Sequence, residues 1–166
     1  MLLHRSLFAL IIGINKYESP DIPNLLGAVP DADAVHEYLR DHLGVPRSQI
    51  RNLRDSQATR TAIIEAIHTL SMNSEIKEGD PILIYYAGYG GSTKTPQGWV
   101  VESTGRIELL VPYDYSSRLE DDCDLDNIRH GIPDRTMGTL LKRLARNKGD
   151  NIVRQNFVFC IYGLTI

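Results

Sequence analysis

Short apolar runs alternating with segments of helical period constrain this chain more than any other feature. Leu7 to Ile14 and Ile82-Leu83-Ile84-Tyr85-Tyr86-Ala87 are apolar almost throughout, as strands are when both faces of a sheet are covered. Between them Ala32, Val35, Leu39, His42 and Leu43 recur at helical spacing behind Pro30 and Asp31, and Gly44 with Pro46 marks the stop. A short strand is expected near Gln49 to Leu53, followed by a helix that Thr59 caps and whose buried stripe is Ile63, Ile67 and Leu70. Asp134 is expected to cap a third helix carrying Met137, Leu140, Leu141 and Leu144, closed by Asn147-Lys148-Gly149. The last apolar run, Phe157-Val158-Phe159-Cys160-Ile161, reads as a fourth parallel strand. The alternation predicts an α/β domain with a mainly parallel sheet.

The 166 residues suit one domain, 1–166, large enough to bury its own core. A net charge of −3 without a basic stripe argues against nucleic acid as a partner. Cys123 and Cys160 have no CxxC neighbour, so both are expected to be free thiols in a reducing, cytoplasmic setting. The apolar start ends in Gly13-Ile14-Asn15-Lys16 rather than in a small-residue cleavage site, and it reads as a strand rather than a signal peptide. No segment has the length and apolarity of a membrane span.

In an open α/β sheet, ligands collect beyond the carboxyl ends of the strands. Gly13 to Lys16, Gly88 to Ser92 and Cys160 to Gly163 are the segments expected there. The glycine loop fails as a phosphate loop, because Thr93 stands where Gly must precede the Lys. Its residues read as a tight strand-to-loop turn. Trp99-Val100-Val101 and Ile107 to Val111 flank Ser103-Thr104-Gly105 as a rim hairpin, and an acidic loop runs from Ser116 to His130.

Four ordered segments say more than the glycines do. They are Phe8 to Tyr17, Leu26-Gly27-Ala28-Val29-Pro30-Asp31-Ala32, Tyr85-Tyr86-Ala87-Gly88-Tyr89-Gly90 and Ile132-Pro133-Asp134. In order and spacing they resemble the caspase-like cysteine peptidases, most closely metacaspase-like proteins of fungal type, over roughly residues 6–151, with a divergent tail at 152–166. The resemblance implies a caspase-type three-layer αβα sandwich, here truncated after the fourth strand, and a Cys-His dyad that cleaves peptide bonds through an acyl-thioenzyme. It also implies that an uncovered sheet edge beside Phe157, Phe159 and Ile161 could recruit a second, homologous caspase-like chain.

This chain departs from the family at both dyad positions. Tyr89 stands where the family has its His, and an unperturbed phenol, ionising near about pH 10, is no base at neutral pH. The nucleophile turn is missing; with a one-residue insertion Cys160 falls at the nucleophile and Gly163 matches the family's Gly. Asp31 matches an acid that helps hold Arg or Lys before the scissile bond, and helix capping is its alternative role. The second pocket acid is replaced by Phe157 or Val158. No cofactor is implied beyond a Ca²⁺ that Glu120, Asp121, Asp122, Asp124 and Asp126 could ligate, a run without EF-hand spacing. The expected function is thus an inactive, regulatory caspase-like domain. An active peptidase using Cys160 with Arg or Lys specificity and a flavodoxin-like binding or signalling module are the alternatives.

Overall fold

The computed structural model describes residues 6–94, 106–116, 131–154 and 164–165. Its first sheet is parallel, in the order β2 (Ile50–Arg54), β1 (Phe8–Gly13), β3 (Ile82–Ala87), β7 (Ile152–Arg154). All six residues of β1 are buried, because helices pack on both faces of this central strand. Phe8, Leu10 and Ile12 join a core with Ile63, Ala66, Ile67 and Leu70 of α2 (Arg60–Met72) and Met137, Leu141 and Leu144 of α3 (Asp134–Lys148). Ala9 and Ile11 face the other way, onto Ala32 of α1 (Ala28–Glu37) and Leu39. The alternation along β1 therefore sorts the helices into two layers, as the sequence pattern predicted.

Helix ends match the expected residues in one case and shift from them in the others. Thr59 caps α2 as expected, its Oγ1 accepting from the Ala62 N–H at 3.2 Å. α1 begins at Ala28, ahead of Pro30 and Asp31, and widens into a π-helical turn over Tyr38–His42. Asp134 is the first residue of α3 and not its cap, because Pro133 holds the extended backbone before it. An acid in that first turn still opposes the helix dipole favourably. At the other end of α3, the buried Lys148 donates from Nζ to the Asn73 and Ile76 carbonyls at 2.6 and 3.0 Å.

The second sheet corrects one expectation. The glycine loop after β3 becomes a strand, β4 (Gly90–Lys94), paired antiparallel with β5 (Arg106–Leu110). β5 continues to β6 (Ile132–Pro133), and β8 (Leu164–Thr165) runs parallel to β4. The expected second arm of the rim hairpin is β5, whose described antiparallel partner is β4, while residues 99–101 and the turn at 103–105 lie outside the described residues. Among the described residues the fourth parallel strand is Ile152–Arg154, which starts directly after α3, where the Asn151 carbonyl accepts from the Ile82 N–H. The run 157–161, with Cys160, lies outside the described residues, as does the acidic run 120–126.

Candidate functional site

The register of the parallel strands places Gly13 beside Ala87, so the chain leaves β1 and β3 at one edge of the sheet. The Ile14 N–H bonds to the Ala87 carbonyl at 2.9 Å and carries this adjacency one residue beyond the strand. Two of the three segments expected at the strand ends therefore meet. Beside them lies a cavity of about 420 Å³ lined by Leu25, Leu26, Ala28, Asp31, Tyr85 and Tyr89, among others. Asp31 and Tyr89, 58 positions apart in the chain, thus contribute to one concavity. Asp31 sits in the first turn of α1, which has no side-chain cap of its own, so the capping role considered for Asp31 is not the one it plays.

Tyr89 is buried, at 4 % exposure, and its ring packs tilted on Tyr17 with centroids 5.3 Å apart. Both of its backbone polar groups are held by tyrosine hydroxyls. The Tyr89 N–H donates to Tyr17 Oη at 2.9 Å, and Tyr86 Oη donates toward the Tyr89 and Val111 carbonyls at 2.8 and 2.9 Å. Gly88 is required for this arrangement, since a Cβ there would stand 2.6 Å from Tyr86 Oη. Neither Tyr17 nor Tyr86 stands out by residue type. Their contribution arises from hydrogen bonds to backbone atoms up to 72 positions away, for which the sequence offers no signal.

Burial pushes the Tyr86 phenol well above its ordinary range, and does the same to Tyr17 against the opposing pull of the Tyr89 N–H. Both shifts raise the folded-state value above the unfolded one. Their stabilising contribution is therefore complete below about pH 10 and is lost as pH rises toward the folded values. We expect ionisation of these two phenols, followed by absorbance at 295 nm, to coincide with unfolding. Full titration of every tyrosine by pH 11 with native circular dichroism would contradict it.

Among the described residues no group of three or more His, Cys, Asp or Glu side chains could hold a metal ion, and no helix is long and apolar enough to cross a membrane.

The family profile described as Caspase domain matches residues 6–148. The chain belongs to the caspase-domain family. Metacaspase-1A of Aspergillus oryzae is 32 % identical over 113 residues, which is 64 % of this chain and 26 % of the relative. Metacaspase-1 of Ajellomyces capsulatus is 31 % identical over 115 residues, 66 % of this chain and 31 % of the relative. The chain thus spans about a quarter to a third of the curated relatives it matches. A crystal structure of a protein from Geobacter sulfurreducens superposes with a TM-score of 0.60 at 21 % identity, covering 82 % of this chain and 44 % of that one. The fold is caspase-like, and the domain is metacaspase-like, of cysteine-peptidase ancestry. The flavodoxin-like alternative is set aside by this membership.

Proposed function

We propose that this chain is a caspase-like domain without peptidase activity, which binds a peptide or protein through the cavity at Asp31 and acts as a regulatory partner of a homologous caspase-like chain. The observation that carries the proposal is the state of position 89. Where the resemblance calls for an imidazole, the chain has a buried phenol whose ring packs tilted against Tyr17. Loss of a positioned general base costs typically about 10²–10⁴-fold in rate. Asp31 remains exposed beside the cavity and offers a carboxylate to a cationic side chain.

Hydrolysis of fluorogenic peptides ending in Arg, Lys or Asp tests the proposal, with and without Ca²⁺, beside a Cys160→Ala control. The expected result is no turnover above that control. Turnover after Arg or Lys that the control abolishes would overturn it and make Cys160 a nucleophile served by another base.

The partner is expected at the edge of the parallel sheet. Among the described residues β7 pairs only with β3, and Val153 on it is 52 % exposed. Size-exclusion chromatography with light scattering, of the chain alone and mixed with a homologous caspase-like chain, is expected to show association. A monomer in both runs across the concentration range would count against edge pairing.

A further inference from the structure

The wall of the cavity contributed by residues 25–28 is packed at its ends, where Leu25 leans on the core and Ala28 is buried, and loose in its middle. Leu26 is 88 % exposed, Leu25 is only half-buried, and Gly27 precedes α1 without a side-chain cap. Hydrogen bonds hold the stretch between those ends, and they converge on one residue just past the end of β1. The Asn15 carbonyl accepts from the Leu25 N–H at 2.8 Å, and Asn15 Oδ1 accepts from the Val29 N–H at 3.1 Å. Asn15 Nδ2 reaches the Leu26 carbonyl at 3.4 Å. Val29 lies in the first turn of α1, so Asn15 supplies from 14 positions upstream the cap that the helix lacks locally.

Asn15 is itself held from the turn that follows the neighbouring strand β2. Asp55 Oδ1 accepts from the Asn15 N–H at 2.8 Å and from the Lys16 N–H at 2.9 Å. Asp55 is the only non-glycine among the described residues with positive φ, at 43°, just past the end of β2. That left-handed conformation is unfavourable for most side chains and is tolerated best by Asn and Asp. Residues kept in such conformations cluster where the surrounding structure has a use for them. Here the use is visible: the turn aims one carboxylate oxygen at two consecutive amides next to the cavity.

We infer that Asn15 and Asp55 are positioning residues of the cavity, with Asp55 fixing the Asn15 backbone and Asn15 setting the wall at residues 25–28. The inference rests on the proposed peptide-binding role of that cavity. Neither residue acts on the ligand directly, so their effect must pass through the geometry of the wall. Tenfold in affinity corresponds to about 1.4 kcal/mol, which is the scale of one well-made hydrogen bond lost from the wall.

The test is the dissociation constant of a fluorescent acetyl-Gly-Gly-Arg-amide peptide, measured at a temperature well below the melting point, together with amide exchange at Leu25 and Val29. Asn15→Ala and Asp55→Ala are expected to weaken binding about tenfold and to accelerate exchange at Val29, Asp55→Ala also at Leu25. Asp55→Asn keeps both an acceptor oxygen and tolerance for positive φ, so it is expected to stay close to the parent chain; a tenfold loss there would instead point to a direct charge effect on the ligand and overturn the inference. Ile67→Val, in the core on the other side of the sheet, controls for general destabilisation by lowering the melting temperature without moving either readout. Unchanged exchange at Val29 in both alanine variants would sink the inference whatever the peptide does. Failure of the parent chain to bind the peptide would sink the proposed ligand instead, and the exchange data would still decide the role of the strut.

Discussion

Replacing Ile63 with alanine is expected to lower the free energy of unfolding by about 2–5 kcal/mol. Ile63 is fully buried where α2 packs against the sheet, in the same cluster as Leu10, Ile12 and Ile84. Removing three carbons there loses the transfer free energy of the side chain and leaves a cavity. Core residues of β1 and β3 in the same cluster, and α3 beside α2, limit how far the surroundings can collapse into it. For a domain of this size each kcal/mol moves the melting temperature by roughly 2–4 °C, so the shift should be plain in a thermal scan. Met72 on the same helix is 61 % exposed, and its replacement by alanine should stay within about 0.5 kcal/mol. Equal effects at the two positions would mean that α2 does not pack as described.

Gly88→Ala is expected to cost about 1–3 kcal/mol, the range for forcing atoms into a filled site, and to disturb the cavity as well. The new Cβ would lie 2.6 Å from Tyr86 Oη, 2.8 Å from the adjacent ring carbon and 3.1 Å from Tyr17 Oη. Neither ring can give way freely. Both are buried, and their hydroxyls hold the backbone of Tyr89. The clash therefore breaks the hydrogen bonds that Tyr86→Phe would remove on its own. Measured by chemical denaturation, the double variant should lose less than the sum of the two single losses, with a coupling of about 0.5–3 kcal/mol. Strict additivity would show that the Tyr86 hydroxyl does not secure the loop.

The same loop shows why sequence patterns stop where they do. A run such as Gly90-Gly91-Ser92 has low strand propensity, and the sequence gives it as a turn. It is a strand because β5 lies beside it and pairs with its backbone, Gly91 facing Leu109 and Ser92 facing Glu108. Backbone pairing is blind to side-chain type, so a partner 16 or more positions away leaves no mark on the run itself. The start of the fourth parallel strand at Ile152 was not legible for a related reason. Phe157 to Ile161 is the more apolar segment, yet Ile152–Arg154 follows α3 closely enough to reach the edge of β3.

What the sequence determined by itself is what local burial writes into residue order. The apolar runs of β1 and β3, the Thr59 cap and stripe of α2, the stripe of α3 and the four segments resembling the caspase-like peptidases were all legible, because each depends on neighbours in the chain. Tyr89 and Asp31 could be singled out by that resemblance, but not as parts of one cavity. Only the tertiary structure decided that they share it, that Tyr17 and Tyr86 grip the backbone of residue 89, and that a left-handed Asp55 supports the wall through Asn15. These features depend on distances between strand ends, which the register of β1 between β2 and β3 sets and no local pattern records.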